Sequence, residues 1–169
     1  MIIDAHVHLY PDKIAAKAAQ NIGAFYDLPM AYDGSLAQLK AACQRAGVAA
    51  CVLCSVATAP AQAHSINVFL ADAKTRLGWA ALCALHPAMA PQEVTAALDF
   101  AQAQGMVGAK LHPDFQRFCA DDPAVFPLYG ALAARGMPLL LHAGDARFRF
   151  SNPQKIARLL QAFPTLTVV

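Results

Sequence analysis

Three polar residues alternate with apolar ones at the start of the chain: Asp4, His6 and His8. Residues two apart share one face of a β-strand, so this spacing predicts that the three side chains point the same way. Neutral imidazole is a preferred ligand of Zn²⁺ and similar ions, and two histidines at this spacing can share one cation. A pair of core histidines that hydrogen-bond to Asp4 would give the same pattern, so both interpretations stay open for this motif alone.

Three further histidines each end a predicted strand: His86 the third, His112 the fourth and His142 the fifth. The carboxyl ends of parallel strands form one face of an α/β fold, and ligands bind there. We therefore expect these side chains to converge on one edge of the sheet. His142, which follows three leucines, is predicted to be a metal ligand, whereas His64 falls in a helix and is expected at the surface.

Lys110 shares its strand face with His112 by the same period of two. A lysine inside a buried strand needs a partner. The candidates are a carbamate that bridges metals, a substrate carboxylate, or a salt bridge within the barrel to Asp4. The sequence leaves these alternatives open.

The hydrophobic pattern switches repeatedly between short strand-like runs and longer helical ones. Such alternation indicates an α/β protein with parallel strands joined by helical crossovers. An open doubly wound sheet and a (β/α)8 barrel both fit it. The predicted strands cover 2–9, 48–56, 79–85, 107–112, 138–143 and 166–169, and the predicted helices cover 12–26, 35–46, 61–76, 91–104, 124–135 and 153–163.

The composition of the 169 residues narrows the class of protein. Hydrophobic residues make up 57% and charged residues 14%, which excludes a disordered chain. The net charge of +2 is scattered and gives no reason to expect nucleic acid, and the longest apolar run, 48–61, is too short and too interrupted to span a membrane. Five cysteines without a disulfide spacing suggest a reduced, cytoplasmic setting. Cys51 and Cys54 lie three apart in a strand, so they are predicted to be buried hydrophobes rather than a Cys-x-x-Cys site.

Three motifs together resemble the amidohydrolase-related branch of the amidohydrolase superfamily. They are Asp4-Ala-His6-Val-His8, Gly108-Ala-Lys110-Leu-His112-Pro113 and Leu141-His142-Ala-Gly144-Asp145. The resemblance implies a (β/α)8 TIM-like barrel, of which about five and a half βα units are present. It further implies that His6, His8 and His142 hold the metal. The family's ligands at the ends of the sixth and eighth strands have no counterpart here, so we expect one incomplete barrel domain over residues 1–169. It would be either a fragment of a longer protein or a half-barrel that pairs with a second chain.

The activity that the resemblance implies is hydrolysis of a small amide, lactone or related carboxylate-bearing substrate by a metal-activated water. Decarboxylation or hydration within the same superfamily, or a catalytically inactive metal-binding fragment, are the alternatives. The resemblance implies an enzyme for the full-length protein and leaves the activity of this chain open. Phosphoester hydrolysis is disfavoured, because the nuclease-like relatives tend to carry a glutamate where Lys110 stands.

The expected cofactor is one or two divalent ions, with Zn²⁺ preferred and Mn²⁺, Fe²⁺ or Co²⁺ as alternatives. The expected partner is a small-molecule substrate, with a homo-oligomer as a further expectation. Candidate roles follow for the polar residues at the strand ends. They are catalysis for Lys110, His112 and Asp4, and substrate binding for His86, Asp145 and Arg147. A solvated loop is the alternative for Asp145 and Arg147.

Overall fold

A computed structural model describes residues 1–145 and 147–169 and shows a parallel sheet covered by helices. The strands pair in the order β1-β2-β3 and β4-β5-β6, and all pairs are parallel. The strands are β1 (Ile2–His8), β2 (Val48–Cys54), β3 (Ala80–Ala81), β4 (Cys83–Ala84), β5 (Ala109–Leu111) and β6 (Leu139–Leu141). Val168, in the sixth predicted strand, forms a further parallel bridge to Leu139 of β6. The predicted α/β class with parallel strands is confirmed.

The third predicted strand is divided at Leu82. β3 pairs with β2 and β4 pairs with β5. The backbone nevertheless continues across the gap, because Leu82 N–H donates to the carbonyl of Leu53 and Cys83 N–H donates to that of Gly108, both at 2.8 Å. The two short ladders are therefore parts of one curved sheet.

Seven α-helices lie on the described part of the chain. They are α1 (Asp12–Tyr26), α2 (Leu36–Ala46), α3 (Ala63–Leu77), α4 (Pro91–Ala103), α5 (Pro113–Gln116), α6 (Phe126–Ala134) and α7 (Pro153–Ala162). The predicted ends of α2 are confirmed: the Ser35 side chain accepts from Gln38 N–H, and Gly47 adopts the left-handed conformation at φ 66°. None of these helices is both long and apolar enough to span a bilayer. The sequence did not predict α5, which follows β5 directly.

A bulge interrupts β1. Asp4 pairs with Cys51 and Val7 pairs with Leu53, so β1 advances three residues while β2 advances two. The strict alternation that predicted one common face for Asp4, His6 and His8 is therefore broken between Asp4 and His8. His6 and His8 do share a side of the strand, since their Nε2 atoms lie 3.1 Å apart, and the common face with Asp4 stays a prediction.

Gln116 ties the carboxyl ends of three strands together from α5. Its buried side-chain amide donates to the carbonyls of Ala57, at 2.8 Å, and Leu85, at 2.7 Å. Its carbonyl oxygen accepts the backbone N–H of His112 at 2.9 Å. Buried backbone groups that leave a sheet need such partners. One side chain thus fixes the edge at which the polar residues converge.

Replacing Gly108 by alanine should destabilise the fold. An added Cβ would lie 2.6 Å from the carbonyl oxygen of Pro138 and 3.1 Å from Leu82 Cδ2, and the backbone has to shift to relieve this contact. We expect a loss of about 1–3 kcal/mol in the free energy of unfolding, measured by urea denaturation. Gly130→Ala, in α6, is the matched control. Its added Cβ would lie 3.7 Å from Phe163 Cε1, an ordinary contact, so the substitution should leave the free energy of unfolding unchanged or raise it. Equal effects of the two substitutions would contradict this account.

Candidate metal centre

His6 and His8 bring their ring nitrogens together at the carboxyl end of β1. The two Nε2 atoms lie 3.1 Å apart. Two ligands at 2.0–2.1 Å from a tetrahedral Zn²⁺ are separated by about 3.3 Å, so this spacing fits a shared cation. The Tyr10 hydroxyl lies 3.3 Å from His8 Nδ1. When Nδ1–H donates to that hydroxyl, the Nε2 lone pair of His8 is left free for a metal.

Burial and positive charge keep the imidazoles of this edge neutral. Burial, followed by the charge of Lys110 and by neighbouring rings, lowers the pKa of His8 to about 3. Burial, His142 and Lys110 lower the pKa of His112 to about 2. The pKa values of His6 and His142 are lowered by burial and then by Lys110. Neutral imidazole is the form that binds a metal, so the electrostatics suit a ligand role at neutral pH.

Lys110 is fully buried in β5, and its amine has no hydrogen-bond partner among the described residues. The sequence offered a salt bridge to Asp4 as one explanation. That explanation is wrong, because the Lys110 amine contacts no carboxylate among the described residues, and the Asp4 carboxylate accepts the backbone N–H of His6 at 3.1 Å. Burial lowers the pKa of Lys110 to about 8. A carbamate and a substrate carboxylate remain the candidate partners for this amine.

His112 lies in the middle of a stack of three rings. Its centroid is 3.9 Å from that of Phe115 and 3.8 Å from that of His142, with interplanar angles of 10° and 11°. Phe115 N–H donates to His112 Nδ1 at 3.3 Å, so Nε2 carries the proton and donates to the Tyr26 hydroxyl at 3.0 Å. Both nitrogens of His112 are therefore occupied by protein groups.

The Nε2 atom of His142 faces a carboxylate, and its ring stacks on His112. Its Nε2 lies 3.6 Å from Asp114 Oδ2, which also accepts the Ser151 hydroxyl at 2.8 Å. The ligand atoms of His112, Asp114 and His142 all lie within 4.8 Å of one another, and so do those of His6, His8 and Cys54. Within the described ranges, the predicted trio of His6, His8 and His142 does not form a group at that distance. The structure places its members in two neighbouring groups.

The histidines of both groups line one cavity of about 340 Å³. The volume suits a small ligand. Gly34, at φ +76°, lets the loop before α2 pack closely on Tyr10, which holds His8. The wall is mostly aromatic and imidazole, and it includes His6, His8, Tyr10, Tyr26, Tyr32, His112, Phe115 and His142.

His86 is buried beside β4 but does not line this cavity. Its Nδ1 accepts the N–H of Ala88 at 3.1 Å in the turn after the strand. A substrate-binding role for His86 stays a prediction that this contact does not favour.

Arg147 is held by protein groups around it. Its guanidinium binds both oxygens of Asp145, donates to the carbonyl of Phe25, and lies 5.0–5.3 Å from the ring centroids of Phe25, Tyr26 and Phe148. These hydrogen bonds lower the pKa of Asp145 to about 2. The pair fastens the loop after β6 to the end of α1, so both charges are already compensated. Ala146, between them, lies outside the described residues.

Several residues of this centre escaped the sequence analysis. The Cys54 thiol was taken as a plain buried group, yet it joins His6 and His8 because His8 and Cys54 pair across β1 and β2. Tyr10 and Tyr26 carried no signal, since nothing local distinguishes them from core tyrosines. Asp114 and Ser151 lie 37 residues apart, and only the fold brings them together.

The chain is similar to known proteins in sequence pattern and in fold. The family model described as amidohydrolase matches residues 3–169. No curated protein sequence matches the chain. Similar solved structures include an uncharacterised TIM-barrel protein from Bordetella bronchiseptica, with 19% identity, a TM-score of 0.75 and 99% of this chain covered. A 5-carboxyvanillate decarboxylase from Sphingomonas paucimobilis (14%, 0.71) and a 4-oxalomesaconate hydratase from Rhodopseudomonas palustris (18%, 0.67) are similar over the same 99%. The chain spans 65%, 66% and 61% of these three proteins, so it forms part of a barrel.

Lys110→Met should change how stability depends on pH. The folded state lowers the pKa of Lys110 from 10.5 to about 8, so between these values the unfolded chain binds more protons and stability rises with pH. Relative to Lys110→Met, the metal-free wild type should therefore gain up to roughly 3 kcal/mol across this window, since one pKa unit corresponds to about 1.4 kcal/mol. Urea denaturation at pH 7, 8, 9 and 10.5 measures the difference. Parallel curves for the two proteins would contradict a buried, unpaired amine. Lys40→Met, an exposed lysine, is the control.

Proposed function

Because the chain belongs to the amidohydrolase family, we propose that it carries the metal-holding part of a metal-dependent hydrolase that acts on a small amide, lactone or related carboxylate-bearing substrate. The observation that carries this proposal is the His6–His8 pair, whose Nε2 atoms lie 3.1 Å apart as neutral imidazoles. His142 in the same cavity is the further ligand that we assign. A bound metal would lower the pKa of a water and polarise a substrate carbonyl.

The residues of the chain have distinct tasks in this proposal. His6, His8 and His142 hold Zn²⁺, or Mn²⁺, Fe²⁺ or Co²⁺, as neutral ligands. The Lys110 amine, buried and without a hydrogen-bond partner among the described residues, would attract the substrate carboxylate or, as a carbamate, would act as a ligand to two ions. The donor set fits a metal, because its nitrogens belong to imidazoles whose lowered pKa keeps them neutral.

Decarboxylation is the second candidate, and the shape of the cavity favours it. Tyr10, Tyr26, Tyr32 and Phe115 line the cavity, and such walls suit a planar unsaturated ring. One similar structure is a decarboxylase of a carboxylated aromatic compound. The same ligands and Lys110 would then hold a carboxylate whose bond to the ring carbon breaks to release carbon dioxide, while a proton takes its place on that carbon.

His6→Ala and His8→Ala should each abolish stoichiometric zinc binding, because each removes one of two ligands 3.1 Å apart. Protein dialysed against limiting zinc is analysed for metal by mass spectrometry. His64→Ala, an exposed histidine of α3, should retain wild-type metal content. Equal metal in all four proteins would refute the proposed centre.

The reaction class can be tested with the zinc-loaded chain and two sets of compounds. Carboxylate-bearing lactones and amides should release acid, followed by pH-stat, and His8→Ala should abolish this release. Carboxylated phenols report on the alternative through carbon dioxide release. Carbon dioxide without hydrolysis would favour the decarboxylase, and bound zinc without either product would favour the inactive metal-binding fragment.

A further inference from the structure

The feature that the proposed reaction leaves unexplained is the carboxylate of Asp114. Its side chain is completely shielded from solvent, and its Oδ1 has no hydrogen-bond partner among the described residues. Oδ2 accepts the Ser151 hydroxyl at 2.8 Å and faces His142 Nε2 at 3.6 Å. Burying a carboxylate is costly unless a nearby donor compensates it. Among the described residues, the ring of His142 is a further group that faces this carboxylate and can carry a proton toward it.

The ring stack excludes a direct shared metal between His112 and His142. Imidazole ligands place the metal in the plane of the ring. The two rings are nearly parallel, with centroids 3.8 Å apart, so one cation at about 2.1 Å cannot lie in both planes. The nitrogens of His112 are also occupied by Phe115 N–H and Tyr26. Asp114 therefore does not complete a second metal site with these two histidines.

The stack fixes the plane of the His142 ring but not the position of its proton. A neutral imidazole carries one N–H, which can sit on either nitrogen. The Asp114 carboxylate accepts the Ser151 hydroxyl, which holds its Oδ2 in place. A proton on His142 Nε2 would face this same Oδ2 and would leave the lone pair on Nδ1, whereas Oδ1 stays without a partner among the described residues. The separation of 3.6 Å is too long for a hydrogen bond, so the contact between the ring and the carboxylate is electrostatic.

We propose that Asp114, held by Ser151, is a positioning residue that keeps His142 in the Nε2–H tautomer and thereby presents Nδ1 to the metal. This inference rests on the proposed function, in which His142 is a ligand. Carboxylates that accept the second N–H of a metal-binding histidine fix its tautomer and raise its basicity, and their loss commonly weakens metal binding 10–100-fold.

The test reads the tautomer and the zinc affinity separately. Nitrogen-15 NMR of the metal-free chain, labelled at histidine, should show His142 with its proton on Nε2. Asp114→Ala should give a mixture of tautomers, Ser151→Ala a smaller change in the same direction, and Asp72→Asn no change. Zinc dissociation constants from chelator competition should rise about tenfold or more in Asp114→Ala and remain unchanged in Asp72→Asn. His86 is an internal reference for folding. Its Nδ1 accepts the N–H of Ala88, so the ring proton of His86 should stay on Nε2 in every folded variant.

The outcomes separate this inference from the proposed function. A wild type that binds no zinc but shows the Asp114-dependent tautomer would refute the metal centre while the positioning contact stands. A His142 ring protonated on Nδ1 in the wild type would overturn the inference. Unchanged tautomer and unchanged zinc affinity in folded Asp114→Ala would overturn it too. If Asp114→Ala fails to fold, Ser151→Ala, which removes one hydroxyl, carries the same two readouts.

Discussion

The buried amine of Lys110 is the constraint around which the polar edge of the sheet is organised. It lies in a strand covered on both sides, has no hydrogen-bond partner among the described residues, and lowers the pKa of the four surrounding imidazoles. An unpaired buried amine costs stability, and such a cost is typical of functional sites. Burial is the main cause of the lowered pKa of these histidines, and the charge of Lys110 adds to it. The edge therefore combines neutral nitrogen lone pairs with a buried amine, which the proposed function assigns to a cation and to an anionic group.

Local contacts hold each half of the centre separately. The His6–His8 pair depends on the end of β1, where Tyr10 contacts His8 and the loop at Gly34 packs on Tyr10. The other half is built on α5, whose first turn provides the stacked ring of Phe115 and whose last residue, Gln116, ties three strand ends together. Because α5 begins directly after β5, the helix that braces the sheet also carries the groups that orient His112 and His142. The four residues of α5 thus both stabilise the sheet and position the two histidine rings.

The sequence predicted what depends on local periodicity. The succession of strands and helices, the parallel arrangement and the ends of α2 follow from alternation, turn residues and capping, and they agree with the structure. The bulge after Asp4 was not predictable, because an extra residue in one strand appears only in its pairing with β2. Gln116 escaped for a similar reason: its partners are carbonyls at Ala57 and Leu85, which no local pattern marks. The histidines at the strand ends were predictable, because the carboxyl ends of parallel strands all lie at the same edge of the sheet. Their division into two groups depends on distances that the sequence does not contain.

The contrast between Asp145 and Asp114 shows why nearness along the chain misleads. Asp145 lies three residues after His142, and the sequence analysis assigns it to substrate binding together with Arg147. Arg147 binds both of its oxygens, so its charge is already balanced within the loop. Asp114 comes from the preceding strand end, is shielded from solvent, and keeps one oxygen without a partner. A carboxylate in that environment acts strongly on the nearest donor, since little water screens it. Burial, rather than sequence distance, therefore identifies the group that acts on the His142 ring.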